Sequence, residues 1–199
     1  MKKKLNLIVA STKNLGIGKN QDLPWPRLAK DMKFFRKMTT RTKTKENQNA
    51  IIMGANTFES IKKTCLPGRV NVVLTSRKSH FERNLLNPDE LNKNLFFCEN
   101  IDDAIILSQS MDNIEERFII GGAKVYNSVL EDIDAFSLDK LFWTRVYQDF
   151  ECDTFLNKKL FDHVSKQFKH KWVSKTHVQN KKINFDFVQM SREKEKIDR

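Results

Sequence analysis

The sequence predicts an α/β fold: a single domain around a mostly parallel β-sheet with an antiparallel hairpin at one edge. Short apolar segments alternate with segments of helical periodicity, which is typical of parallel strands connected by helices. The last two apolar segments flank Asn180-Lys181 and predict the hairpin. With 199 residues, of which 39% are hydrophobic, the chain can bury one substantial core. We therefore assign residues 1–191 to one domain and the charged residues 192–199 to a frayed tail.

The predicted strands are short apolar runs bounded by turn residues or charges. The first has the sequence LNLIVAS, and another, RVNVVL, follows the turn pair Pro67-Gly68. In chain order, the predicted strands are 5–11, 50–53, 69–74, 95–98, 118–120, 140–146, 172–179 and 182–191.

The predicted helices have apolar residues three or four positions apart. In residues 27–39 these are Leu28, Met32, Phe35 and Met38. The other predicted helices are 57–61, 102–111, which Asn100 can cap, and 123–131. Two polar stretches, 40–49 and 79–94, are predicted to be surface loops.

The composition argues against several classes of protein. The net charge is +11, but the cations are interspersed with acids and no nucleic-acid-binding motif is present, so we do not expect nucleic-acid binding. The longest uncharged stretch, residues 47–58, has 12 residues, whereas a membrane-spanning helix needs ~20 apolar ones. The three cysteines, Cys65, Cys98 and Cys152, and the four histidines lack metal-ligand spacing, so we expect no metal site. Free thiols are typical of a reducing compartment, and we expect a cytoplasmic protein.

The loop after the first strand, residues 14–26, has the composition of a ligand-binding loop. It contains Gly16 and Gly18, which allow close approach of a ligand to the backbone, followed by Pro24-Trp25-Pro26. The alternative interpretation is an irregular surface loop.

Asp31 is a candidate active-site carboxylate. It lies three residues after Leu28 and four before Phe35, so it shares the apolar face of its helix. A carboxylate in apolar surroundings has a raised pKa unless a cation or hydrogen-bond donor lies beside it. The alternative is that an acid near a helix N-terminus is favourable through the helix dipole alone.

Two junctions between a strand and a helix predict phosphate-binding sites. One is Gly121-Gly122, and the other begins at Gly54. Two such sites on one sheet suggest a dinucleotide, although the spacing is not that of the Rossmann fingerprint. Arg69, at the start of a strand, could bind a carboxylate ligand or be an ordinary surface charge.

Taken together, these segments resemble dihydrofolate reductases, and in particular the eukaryotic enzymes. The matching segments are IVAS at 8–11, LGIGKNQDLPWP at 15–26, DMKFFRKMT at 31–39, IIMGANTFESI at 51–61, LPGRVNVVLTSR at 66–77, FIIGGAKVY at 118–126 and LFWTRVYQDFECDTF at 141–155. They occur in the order found in the family and span almost the whole chain.

The resemblance implies an eight-stranded sheet with four main helices and the NADPH-dependent reduction of 7,8-dihydrofolate to 5,6,7,8-tetrahydrofolate. A hydride would be transferred to C6 and a proton would be added at N5, in support of one-carbon metabolism and thymidylate synthesis. Dihydrofolate and antifolate inhibitors would be the small-molecule partners. We expect a monomer, or one domain of a fusion with thymidylate synthase.

The resemblance also implies roles for individual residues. Asp31 would be the active-site carboxylate, supported by Thr144, with Leu23 and Trp25 beside it and Trp25 holding an ordered water. Arg69 would bind the substrate's α-carboxylate. The remaining implied substrate contacts are Ile8, Val9, Ala10, Met32, Phe35, Ile61, Leu66, Ile120 and Tyr126.

The implied NADPH contacts come from the loop, both strand–helix junctions and the segment after residue 74. They are Ala10, Ile17, Gly18, Lys19, Asp22, Gly54, Ala55, Asn56, Thr57, Leu74, Thr75, Ser76, Arg77, Ile120, Gly121, Gly122, Ala123, Lys124, Val125, Tyr126 and Thr154. Ala55 and Asn56 replace a pair that carries Arg or Lys in the family. Our hypothesis is that Arg77 compensates by binding the 2′-phosphate, with Thr75 and Ser76 as the alternative.

Two other readings stay open from the sequence. One is the related reductase of the riboflavin pathway, against which Asp31, the Leu-Pro-Trp segment and Arg69 argue. The other is a folate- or nucleic-acid-binding protein without turnover, against which Asp31, Leu23 and Trp25 argue.

Overall fold

The computed structural model describes residues 4–85, 89, 91, 93–180 and 182–192. The strands are β1 (Leu5–Thr12), β2 (Gly16–Gly18), β3 (Gln48–Gly54), β4 (Arg69–Leu74), β5 (Leu95–Cys98), β6 (Ile114–Gly121), β7 (Leu138–Val146), β8 (Thr154–Phe155), β9 (Phe168–Val173), β10 (His177–Gln179) and β11 (Ile183–Arg192). The helices are α1 (Ala29–Thr40), α2 (Ala55–Ser60), α3 (Lys78–Arg83), α4 (Ile101–Ser110), α5 (Ala123–Glu131) and α6 (Lys158–Gln167).

The main sheet has the strand order β10-β11-β7-β1-β6-β3-β4-β5, and β9 also pairs with β11. All neighbours from β7 to β5 are parallel, whereas β11 is antiparallel to β7. β9 and β10 pair with successive parts of β11, so they occupy one position at the edge of the sheet. The sheet is therefore eight strands wide, and the predicted α/β fold with an antiparallel hairpin edge is confirmed.

The two faces of the sheet carry separate apolar clusters, because successive residues of a strand point to opposite faces. On β1, Leu5, Leu7 and Val9 belong to the cluster that includes residues of α4, α5 and α6. Ile8 and Ala10 belong to the other cluster, which includes residues of α1, α2 and α3. We call these the α5 face and the α1 face.

Several predicted boundaries differ from the structure. β6 begins at Ile114, well before the predicted residue 118, and passes through Glu115, Glu116 and Arg117. These charges are accommodated because Glu116 binds Asn6 and Lys140, and Glu115 accepts from the backbone of Lys43. The start of β6 was missed because a strand that contains several charged residues does not form an apolar run.

Two helices and one strand end were missed. The short helix α3 begins at Lys78 and occupies the first part of the predicted loop 79–94, where its Phe81 is buried, and α6 was not predicted. Arg192 does not belong to a frayed tail: it is the last residue of β11, pairs with Phe168 and forms an ion pair with Asp134. The remainder of that predicted tail, 193–199, lies outside the described residues, and the boundary of the domain stays a prediction. Among the described helices, none is long and apolar enough to cross a membrane.

Candidate active site

The candidate site lies at the carboxyl edge of the parallel strands. β1, β3, β4, β6 and β7 are parallel, so their last residues meet at one edge of the sheet. The loop between β1 and α1 and the starts of α2 and α5 lie at this edge. A ligand placed here contacts backbone ends from several strands, as is usual for open α/β sheets.

Asp31 is buried on the first turns of α1 and bound to a strand. Its side chain is 5% exposed, and its Oδ1 accepts a hydrogen bond of 2.7 Å from the hydroxyl of Thr144 on β7. Thr144 pairs with Ala10 of β1 in the sheet. The carboxylate is therefore held against the central strands by the only side chain of the described residues that donates to it.

The surroundings of Asp31 favour its protonated form. Burial raises the pKa of Asp31 to about 6, and the hydrogen bond from Thr144 opposes part of this rise. Tyr126 packs in the cluster of the α5 face, and its hydroxyl lies near enough to be affected by Asp31: burial raises the pKa of the hydroxyl, and the charge of Asp31 adds to the effect. The Tyr126 hydroxyl donates to the backbone oxygen of Ile8 at 2.7 Å.

Trp25 closes the loop side of this site. It is 3% exposed and packs edge-on against Phe150, with 6.1 Å between ring centroids. Its indole Nε1 is buried and has no hydrogen-bond partner among the described residues. A buried indole N–H usually has a partner, so this group is a donor available to a ligand or water. Leu23, from the same loop, is 39% exposed.

The apolar residues around the candidate substrate site pack on the α1 face, but the predicted wall residue Val9 does not. The side chain of Val9 packs in the cluster of the α5 face, so only its backbone is on the side of Asp31. The alternation of β1 requires this, since Ile8 and Ala10 point towards α1. The predicted wall residues that do pack in the α1-face cluster are Ile8, Ala10, Phe35, Ile61, Leu66 and Ile120, while Met32 is half-buried on α1.

Arg69 is a buried cation at the start of β4, where it contacts the C-terminal end of α1. It is 3% exposed; its Nη1 donates to the Thr39 hydroxyl at 2.7 Å and its Nε to the oxygen of Pro67. Its guanidinium lies 5.8 Å from the ring centre of Phe35. Burial, with a smaller contribution from Arg36, lowers the pKa of Arg69 to about 10, so it stays charged at neutral pH. Among the described residues, no carboxylate forms an ion pair with it.

The geometry of α1 sets the separation of these two groups. Thr39, which binds Arg69, is eight residues after Asp31. At 1.5 Å per residue this is about 12 Å along the helix. Phe35 lies between them. The face of α1 thus has a carboxylate at one end, a guanidinium at the other and an aromatic ring in between.

The strand–helix junctions form a glycine-lined cradle. Gly121 has φ +119°, and a Cβ there would lie 3.1 Å from the ring of Tyr126. A Cβ on Gly122 would lie 3.2 Å from the Thr57 hydroxyl, and one on Gly54 3.3 Å from Val125. Gly122 caps α5 without a side-chain hydrogen bond, so the first N–H groups of the helix are available to an anion.

The loop that contains Gly16 and Gly18 is bound to β8 and to the residues just before it. β2 pairs with β8, so Gly16 lies opposite Phe155 and Gly18 opposite Thr154. Lys19 forms an ion pair with Glu151 at 2.8 Å, and the backbone N–H of Asn20 donates to Asp153 at 2.7 Å. These contacts hold the loop over the carboxyl edge.

The predicted cofactor residues all lie at this edge. They are Ala10 on β1; Ile17 and Gly18 on β2; Lys19 and Asp22 in the loop; Gly54 ending β3; Ala55, Asn56 and Thr57 on α2; Leu74 ending β4, with Thr75, Ser76 and Arg77 after it; Ile120 and Gly121 ending β6; Gly122; Ala123, Lys124, Val125 and Tyr126 on α5; and Thr154 on β8. Lys19 and Asp22 also bind each other through their backbones.

Thr75 and Arg77, which were predicted to bind the 2′-phosphate of NADPH, already contact other groups of the protein. The Thr75 hydroxyl accepts from the backbone N–H of Arg77 at 3.0 Å. Nη2 of Arg77 lies 3.7 Å from Oε1 of Glu59, and its guanidinium lies 5.5 Å from the ring centre of Phe81. Ser76 and Asn56 are exposed.

Some residues of the site were not found from the sequence. Phe150, Asp153 and Glu59 are distant in sequence from the groups they contact, and only the fold brings them together. Among the described residues no cluster of His, Cys, Asp or Glu can hold a metal ion, and the three cysteines form no disulfide with one another.

Comparison with known proteins agrees with this arrangement. Residues 4–192 match the family model described as "Dihydrofolate reductase". A dihydrofolate reductase from Sus scrofa is 38% identical over 156 residues, covering 76% of this chain and 77% of the relative. One from Rattus norvegicus is 37% identical over 160 residues, covering 78% and 79%. A bifunctional dihydrofolate reductase-thymidylate synthase from Daucus carota is 39% identical over 155 residues, covering 75% of this chain and 27% of the relative.

Proposed function

The chain belongs to the dihydrofolate reductase family, and we propose that it reduces 7,8-dihydrofolate to 5,6,7,8-tetrahydrofolate with NADPH in the cleft beside Asp31. The observation that carries this proposal is the face of α1. A buried carboxylate and a buried guanidinium at its two ends match a ligand with a hydrogen-bond-donating ring at one end and a carboxylate at the other. Dihydrofolate has this chemistry.

The residues at the carboxyl edge fit NADPH. Gly54, Gly121 and Gly122 pack closely against Val125, Tyr126 and Thr57, which fixes the backbone of the cradle, and the N-terminus of α5 offers N–H groups to a pyrophosphate. When bound, NADPH supplies the hydride that reduces C6. The pairing of β2 with β8 fixes the loop after β1 at this edge, where it would limit the access of water to a bound ligand.

Asp31 binds the pterin and supports protonation at N5. With a pKa of about 6, it is mostly ionised at pH 7 and can accept hydrogen bonds from N3 and the 2-amino group. Its negative charge favours the protonated pterin. Thr144 keeps the carboxylate oriented, and the indole N–H of Trp25 is available to hold a water beside it.

Arg69 binds the other end of the substrate. Its Nη2 donates to no described residue, and a carboxylate here would receive a charge-assisted hydrogen bond in a partly desolvated setting. Phe35 and Leu66 pack the apolar middle of the ligand. Antifolate inhibitors with a ring in place of the pterin would bind in the same cleft.

NADPH oxidation followed by absorbance, with and without dihydrofolate, tests this function. We expect oxidation only with dihydrofolate, and a loss of ~10²–10⁴-fold in turnover for Asp31→Asn at pH 7. The loss should be smaller at low pH, where dihydrofolate is already protonated in solution. A wild-type turnover of Asp31→Asn at pH 7 would exclude the role of Asp31, and no turnover by the wild-type chain would exclude the function.

A further inference from the structure

Glu59 lies beside the guanidinium expected at the adenosine end of NADPH. It is on α2, and its Oε1 is 3.7 Å from Nη2 of Arg77. Arg77 follows the end of β4, and α2 follows the end of the neighbouring strand β3. The ion pair therefore connects two segments of the carboxyl edge.

Arg77 is a candidate for binding a phosphate at this edge, because it follows the end of β4 and pairs with a residue of α2. Ala55 and Asn56 carry no charge, whereas two further cations lie nearby: Lys78, which pairs with Glu82 at 3.8 Å, and Lys63, which is 5.7 Å from the ring centre of Phe81. Phe81 is fully buried, and Arg77 rests on its ring. This contact does not depend on the charge of Glu59.

A carboxylate beside Arg77 affects the two nicotinamide cofactors differently. NADPH has a phosphate on its adenosine 2′-oxygen, whereas NADH has a neutral hydroxyl there. Glu59 neutralises the guanidinium and repels a phosphate that shares it, but a hydroxyl experiences little of either effect. We propose that Glu59 is a specificity-determining residue that lowers the preference of this chain for NADPH over NADH by engaging Arg77. This inference rests on the proposed function, because it concerns the cofactor of the same site.

The test is Glu59→Gln, with binding constants measured by fluorescence titration. The pair is partly exposed, with 57% of the Arg77 side chain and 31% of the Glu59 side chain accessible. We therefore expect the Kd for NADPH to fall only about two- to fivefold, and the Kd for NADH to stay unchanged. Adenosine 2′,5′-bisphosphate and AMP, as probes of the adenosine end alone, should show the same difference.

Two further variants make the test specific. Asp162→Asn removes the same charge on the opposite face of the sheet, where Asp162 pairs with Lys158, and should leave the NADPH to NADH ratio unchanged. In an Arg77→Leu background, Glu59→Gln should no longer increase the affinity for NADPH. An unchanged ratio in Glu59→Gln, an equal change in Asp162→Asn, or an undiminished gain without Arg77 would each overturn the proposal. Dihydrofolate turnover is measured in parallel: its absence in the wild-type chain contradicts the proposed function, whereas normal turnover with an unchanged ratio contradicts only this inference.

Discussion

Asp31 destabilises the folded chain at neutral pH, because burial raises its pKa from 3.8 to about 6. Between these two values the folded state binds more protons than the unfolded state, so stability falls as pH rises from about 4 to about 6. Above pH 6 the destabilisation is complete. A shift of about two pKa units corresponds to roughly 3 kcal/mol.

Asp31→Asn should therefore stabilise the ligand-free protein at high pH. The amide can still accept the hydrogen bond from Thr144, but it carries no charge to desolvate. We expect an increase of about 3 kcal/mol in the free energy of unfolding at pH 8 and no difference at pH 3. Urea unfolding at both pH values measures this. Equal stability of the two proteins at pH 8 would mean that Asp31 is not desolvated in the folded chain.

Arg69 should affect the binding of one ligand only. Arg69→Leu removes a guanidinium that could donate to the substrate's carboxylate, and each hydrogen bond to a charged group contributes ~1.5–3 kcal/mol. We expect the Kd for dihydrofolate to rise by a factor of about ten or more, and the Kd for NADPH to stay unchanged. Since Arg69 also binds Thr39, Arg69→Lys serves as the control: it keeps the charge and should have an intermediate Kd. Equal weakening of both ligands would indicate a structural role instead.

At the scale of the element, the junction between β6 and α5 depends on Gly121. Its φ of +119° is unfavourable for other residues, and an added Cβ would press on the Tyr126 ring at 3.1 Å. Gly121→Ala should lower the free energy of unfolding by ~1–3 kcal/mol and weaken NADPH binding. Gly68→Ala is the matched control, since Gly68 also has a positive φ of +73° but its nearest contact would be 3.9 Å away. Gly68→Ala should lower the stability but leave NADPH binding unchanged. An unchanged NADPH affinity in Gly121→Ala would contradict the role of this junction in binding the cofactor.

Elements differed in how well the sequence predicted them. Strands β4 and β5 and helix α5 were predicted to the residue, because apolar runs between turn residues mark both ends. Helix α6 was missed. Its buried Phe161 and Val164 are surrounded by charged residues, and the apolar stripe is short. Strands β9 and β10 were predicted as one strand, because no pattern in residues 174–176 marks the break between them.

At the scale of the whole molecule, the net charge of +11 should speed the encounter with anionic ligands. Dihydrofolate and NADPH are both anions, and screening shortens the range of attraction from ~30 Å at 0.01 M salt to ~8 Å at 0.15 M. We expect kcat/KM to fall over this range while kcat stays constant, as steady-state kinetics at several salt concentrations would show. A kcat/KM independent of salt would mean that the charge plays no part in association.

The sequence by itself determined the class of the fold, the mostly parallel direction of its short strands and the motifs of the carboxyl edge. These are local properties, carried by apolar runs, glycines and the positions of Asp31 and Arg69 on their elements. The pairing of Thr144 with Asp31 was implied by the family resemblance, but only the tertiary structure decided that Thr39 meets Arg69, that Glu59 meets Arg77, and that Val9 lies on the far face of the sheet. Such contacts join residues far apart in the chain, and strand order and register, which no local pattern encodes, set their distances.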